Sequence, residues 1–168
     1  MKNLFIILVA VVFAFSACDK SEEKTVYNPS TDGIVGQWYS SGANVAVLLS
    51  TYFAIDSIYA KFESNNTYLV ESYSAGAKTT YTGTFTQTKS GTGSIWNIVL
   101  NQSAPTAVTS EGIFEITTVT NGFTMKYEVA QTEPNISATP PTATAGFGST
   151  NGGALSTWNI QTFVKIAE

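Results

Sequence analysis

An all-β fold, a single eight-stranded antiparallel up-and-down barrel, is what this sequence of 168 residues predicts. Three observations carry it. Beyond residue 33, segments rich in Thr, Val, Ile and Tyr alternate apolar with polar residues, the period of a half-buried strand. Between them stand Asn65-Asn66, Ala75-Gly76, Gly91-Thr92-Gly93 and Asn121-Gly122, which tolerate positive φ at low cost, so consecutive strands pair as hairpins. A meander of this length closes on itself, which removes both exposed edges and leaves room inside for side chains or one small ligand.

The chain begins with a short positive start, Met1 to Asn3, followed by Leu4 to Ala17, apolar throughout except for Ser16. A bilayer-spanning helix needs about 20 apolar residues. This run is shorter and meets Asp19, Glu22 and Glu23 at once, so residues 1–17 read as a signal peptide. Cys18, the single cysteine, follows the small pair Ser16-Ala17. With no second thiol to form a disulfide, a cysteine in an exported chain asks for an external partner or a modification. The same residues also fit an ordinary secretory signal or an N-terminal anchor helix. Residues 18–33 are polar and end in the turn-forming group Pro29-Ser30-Thr31-Asp32-Gly33, a flexible tether leading into one domain over residues 34–168.

Within that domain the predicted strands run from Ile34 to Ser40, Ser57 to Glu63, Thr67 to Tyr73, Thr79 to Thr88, Ile95 to Gln102, Gly112 to Thr118, Phe123 to Thr132 and Asn159 to Ile166. Alternation assigns the faces. Tyr81, Gly83 and Phe85 oppose a row of threonines, and Phe123, Met125, Tyr127 and Val129 oppose Thr124, Lys126 and Glu128. The apolar face lies inward, the reverse of a transmembrane barrel. In residues 43–54, Val45, Leu48, Leu49, Tyr52 and Phe53 recur at helical spacing, which predicts a short amphipathic helix between the first two strands. It either completes the core or covers the open end of the barrel. Residues 134–158 form a long Pro-, Thr-, Ala- and Gly-rich connection, either functional or disordered. There Phe147 is either a cavity plug or an inert loop residue.

Composition excludes much chemistry. Histidine is absent and all eight basic residues are lysine. That removes imidazole acid-base catalysis, a histidine-paired nucleophile, histidine metal ligation and the arginine fork for phosphate. A net charge of −4 argues against nucleic acid as a partner. Glu71, Glu115 and Glu128 alternate away from the apolar face and read as solvent-facing. No catalytic residue, metal site or cofactor is nominated, and the expectation is a protein that is not an enzyme.

Phe15-Ser16-Ala17-Cys18 resembles the lipobox of bacterial lipoproteins, which implies lipidation of Cys18 and a multiply acylated, stable membrane anchor. Asp19 looks like an inner-membrane retention signal by enterobacterial habits. Ser21-Glu22-Glu23-Lys24 resembles instead the acidic tag by which other Gram-negative groups export lipoproteins to the surface, and the surface of the outer membrane is the favoured address. Gly36-Gln37-Trp38 matches the Gly-x-Trp motif of lipocalins, and with the closing segment "NIQTFVKI" the domain is similar to lipocalin-like, calycin-type domains of bacterial surface lipoproteins. The resemblance implies that Trp38 packs across the closed base. Lipocalins stack an arginine there; the basic residue near the end of this chain is Lys165. The helix between the first two strands sits where fatty-acid-binding proteins carry theirs.

Two functions follow. The first is a small apolar or amphipathic ligand bound in a pocket lined by Tyr68, Tyr81, Phe85, Trp96, Phe114 and Tyr127. The second is a structural or adhesive surface lipoprotein whose threonine rows and long loop contact glycans or partner proteins. Asp56-Ser57-Ile58, which resembles an O-glycosylation sequon of some Gram-negative bacteria, suits an exposed protein.

Overall fold

Eight strands pair in sequence order and the last returns to the first, closing an antiparallel up-and-down barrel. The structure, a computed structural model, describes residues 26–167; the apolar leader, Cys18 and the acidic run after it lie outside the described residues. The elements are α1 (Pro29–Asp32), β1 (Gly36–Ser41), a 3-10 turn (Gly42–Asn44), α2 (Val47–Tyr52), β2 (Ser57–Phe62), β3 (Thr67–Ser74), β4 (Ala77–Lys89), β5 (Ile95–Ala104), β6 (Val108–Val119), β7 (Gly122–Glu133), a 3-10 turn (Thr150–Gly153) and β8 (Gln161–Lys165).

The predicted hairpins form because their turn residues accept the left-handed region: Asn66, Ala75, Gly76, Gly91 and Gly93 all have positive φ. Closure is made over a short seam, with Trp38 opposite Lys165 and Tyr39 opposite Val164. The Ile166 amide extends it by donating to the Gln37 carbonyl at 2.8 Å. Gly83 and Gly112 lie where neighbouring backbone comes so close that a Cβ would collide with the main chain of β5 and β7 respectively. Such close approach is a common use of glycine inside strands.

Most strand ends move by one or two residues from the sequence reading, and three places change more. β6 begins at Val108 rather than Gly112, because Val108, Thr109 and Ser110 pair with Gln102, Asn101 and Leu100 of β5. The end of the predicted tether is ordered: Asn28 accepts from the Ser30 amide and Pro29 opens the single turn of α1. α2 is shorter than the predicted span, and its apolar face divides. Val45 is buried and Leu48 and Leu49 are half-buried, but Tyr52 and Phe53 are exposed.

The two ends of the barrel differ. At the closed end Trp38 is fully buried, donates from Nε1 to the Ile34 carbonyl at 2.7 Å and meets Tyr27 edge-on at 6.2 Å. Tyr27 also stands edge-on to Phe123 at 4.9 Å and donates to the Gly33 carbonyl at 2.5 Å. The Lys165 ammonium lies over both rings, 4.1 Å from that of Tyr27 and 5.3 Å from that of Trp38. Gly36, at φ +127°, leaves the space that this ammonium occupies; a Cβ there would strike Lys165 Nζ. Gln87 ties the arriving chain to β4, accepting from the Ile34 amide at 2.8 Å and donating to the Asp32 carbonyl at 3.1 Å. At the open end lie α2, the turn at residues 105–107 and the long connection from β7 to β8.

Candidate functional site

Side-chain volume along the inward face determines where space remains. Near the closed end the inward positions carry Trp38, Phe62, Phe85, Ile98, Phe114, Met125 and Phe163, all buried in one core. Phe62 and Phe85 meet edge-on at 5.1 Å and Trp96 stacks on Phe114 at 5.9 Å. Toward the open end the same face carries Val70, Ser72, Val108, Ser110 and Val129, and these smaller groups do not meet across the barrel. They surround a cavity of about 430 Å³, completed by Ile58, Tyr68, Tyr81, Leu100, Gln102 and Tyr127 and covered by Leu49, Phe53 and Ile55. An adjoining chamber of about 240 Å³ shares Leu49, Ile58, Val70, Tyr127 and Val129 and extends to Ala46, Asn159, Gln161 and Phe163. The larger space is within the range of small-molecule sites, which are mostly apolar with a few polar groups.

The six aromatics read from sequence divide between the two halves. Tyr68, Tyr81 and Tyr127 line the cavity together. Phe85 and Phe114 belong to the closed-end core, and Trp96 packs against that core and borders an outer depression with Lys89 and Pro29. All six point inward, as alternation predicts, but their height in the barrel decides which of them meet the cavity. Ser72, Gln102 and Ser110 were not singled out. Their signal was available: polar residues at inward positions of otherwise apolar strands, near the strand ends that converge on the mouth.

Burial raises the Tyr68 phenol to about 12 and holds that of Tyr127 higher still, with the neighbouring Tyr68 adding to the effect. Both are neutral hydrogen-bonding groups at any physiological pH.

α2 is held over the cavity by partners distant in sequence. Its first residues have no side-chain cap. Instead the Ala46 amide donates to Gln161 Oε1 at 2.8 Å, and the Leu48 amide donates to the Trp158 carbonyl at 2.9 Å. Gln161 is 4% exposed and its Nε2 donates in turn to Ser40 Oγ. At the other end of α2 the Asp56 amide donates to the Tyr73 carbonyl at 2.9 Å and the Asp56 carboxylate accepts from the Ala75 amide at 3.2 Å. Ser57, of the sequon-like triplet, opens β2 and donates to Asp56 Oδ1 at 3.2 Å.

One expectation is corrected by the long connection. Glu128 was read as solvent-facing, and it is fully buried. It does point outward from the barrel, but residues 148–150 lie over it. Its carboxylate accepts from the Gly148 amide at 2.6 Å, the Thr150 amide at 3.2 Å and the Thr150 hydroxyl at 2.5 Å. Ile113, opposite Glu128 in register on the same outer face, is also 0% exposed. Since Thr150 Oγ1 gives its proton to Glu128, it accepts from Asn159 Nδ2 at 2.9 Å. That orients the Asn159 amide and leaves its Oδ1 buried without a partner. Phe147 lies on the outer face, its ring 5.0 Å from the Lys126 ammonium, and plugs nothing. The connection is therefore an ordered strap along the wall.

Outside the barrel, Tyr39, Ser57, Tyr59, Glu71 and Tyr73 line a shallow groove across β1, β2 and β3. Glu71 accepts from Lys78 at 2.6 Å and from the Tyr73 hydroxyl at 2.7 Å, and these bonds hold its carboxyl below the usual range. Comparison of the chain with known protein families, with curated proteins and with solved structures finds no match.

Proposed function

We propose that this protein is a lipocalin-like receptacle for a small apolar or amphipathic molecule, held at the bacterial cell envelope by lipid on Cys18. The observation that carries the binding part is the cavity of about 430 Å³, mostly apolar, with hydroxyl groups on its wall and a short helix above it. Trp38 under the Lys165 ammonium supports the likeness to lipocalins, since a basic group over the Gly-x-Trp tryptophan is the pattern that the resemblance implies. A protein of this kind binds without covalent chemistry, and none of its roles calls for an enzyme.

The test is titration of the purified protein with the uncharged dye N-phenylnaphthylamine, whose emission rises in apolar surroundings. Saturable binding, weakened at least about tenfold by Ser110→Trp, is the expected result. Absence of binding, or binding indifferent to Ser110→Trp, would overturn the receptacle. For the anchor, Cys18→Ala should move the protein from the detergent phase to the aqueous phase; retention in detergent would refute it.

The groove of exposed Tyr39 with half-buried Tyr59 and Tyr73 favours a second reading, an adhesive surface lipoprotein that contacts a partner through these aromatics. Loss of cell or matrix adhesion in Tyr39→Ala with Tyr73→Ala, at unchanged dye binding, would transfer the main role to that face.

A further inference from the structure

We propose that the cavity selects an uncharged amphiphile, of the fatty-alcohol or monoacylglycerol class, over the fatty-acid anion of the same chain length. The proposal rests on the receptacle reading and specifies its ligand.

The wall offers hydroxyls and no counter-charge. Tyr68, Tyr81, Tyr127, Ser72 and Ser110 border the cavity. Among the described residues none of these five hydroxyls makes a hydrogen bond, and none belongs to the buried polar atoms sealed from contact. They are open to whatever fills the space, and each both donates and accepts. Among the described residues no Asp, Glu or Lys lines either chamber. The whole chain contains neither arginine nor histidine. The titratable groups facing a ligand from every wall element and from the covering helix are thus the three phenols, and burial keeps Tyr68 and Tyr127 protonated.

A carboxylate entering this space gives up its hydration and finds donors but no cation. For an ion in an apolar enclosure, rotatable neutral hydroxyls repay that loss less fully than the fixed backbone amides that hold Glu128, and desolvation without a counter-charge favours the protonated form. A hydroxyl or an ester has little hydration to lose and uses the same five groups fully, as donor and as acceptor. The acyl chain lies equally well against Ile58, Val70, Leu100 and Val129 in either case. Discrimination therefore comes from the head group.

The experiment displaces bound N-phenylnaphthylamine from the purified protein with lauryl alcohol, glycerol monolaurate and laurate, at about pH 8 and again at about pH 3, below the usual carboxyl range. The alcohol and the monoglyceride are expected to displace at concentrations at least about tenfold lower than laurate at the higher pH, with the gap closing at the lower pH as laurate becomes neutral. Tyr68→Phe with Tyr127→Phe should weaken the monoglyceride about fivefold or more relative to the dye measured on the same variant, and an unchanged ratio would overturn the head-group selection. Equal displacement by laurate at about pH 8, or displacement by none of the three, would overturn the selection while leaving the receptacle standing. Failure of the dye itself to bind would remove the receptacle first.

Discussion

The closed and open halves of the barrel are made by the same strands, with the same alternation and the same hydrogen-bonded ladder, and yet one is solid and the other hollow. The difference lies in volume at successive inward positions. β1 passes from Trp38 to Ser40, β3 from Tyr68 through Val70 to Ser72, β5 from Ile98 through Leu100 to Gln102, β6 from Phe114 through Gly112 to Ser110, and β7 from Met125 through Tyr127 to Val129. Polarity pattern builds the wall; side-chain size along each strand decides whether the wall encloses a core or a chamber. The halves also differ in what completes them. The base is sealed by the arriving chain, through Tyr27, Ile34 and Gln87, whereas the mouth is covered by α2, which is tied down by Gln161 and the strap.

If the base carries most of the stability, Trp38→Ala is the most damaging change, costing about 3–5 kcal/mol, whereas Val129→Ala on the chamber wall costs about 1 kcal/mol or less. Urea unfolding midpoints of the two variants test this, and similar losses would erase the contrast. Next in size is Glu128→Ala, which leaves the half-buried Gly148 amide and the buried Thr150 amide and hydroxyl without their acceptor and costs about 2–3 kcal/mol. Amide exchange should accelerate at Gly148 and Thr150 while the closed-end ladder keeps its protection; uniform acceleration would mean that the strap is no separate unit. The smallest effect is expected on the outer wall. The Glu71 carboxyl is held below its ordinary value of 4.5 by Lys78 and Tyr73. Its contribution is present above that value and disappears as pH falls through the lower folded one. Glu71→Gln should therefore lower thermal stability slightly near neutrality and flatten the acid limb, the two proteins converging at low pH, as scanning calorimetry across pH would show.

Much of the wall was legible because period-2 alternation and turn chemistry are local properties. Strand order and inward faces follow from them, whereas the tryptophan at the base was implied by the resemblance of Gly36-Gln37-Trp38 to the lipocalin motif. What escaped depends on contacts between distant segments. Alternation places Glu128 outward correctly but cannot say that Thr150 comes back to cover it. The ends of α2 were misjudged because its amides are satisfied by Gln161 and Trp158 and not by a cap of its own. Phe85, Phe114 and Trp96 were grouped with Tyr68, Tyr81 and Tyr127 because face was read and height was not. Height follows from ladder register, which sets Tyr81 beside Val70 and Gly83 beside Tyr68, while the Phe85 amide bonds to the Asn66 carbonyl further toward the closed end.

The floor of indole, phenol and ammonium around Trp38 has a plain outcome for traffic: this drum is a cup and not a pipe. In the receptacle role proposed above, whatever goes in would come out by the same rim, past Phe53 and the helix behind it. Filling and emptying would share one doorway and could not proceed at once, so such a vessel would store or hand over its contents and would not conduct them.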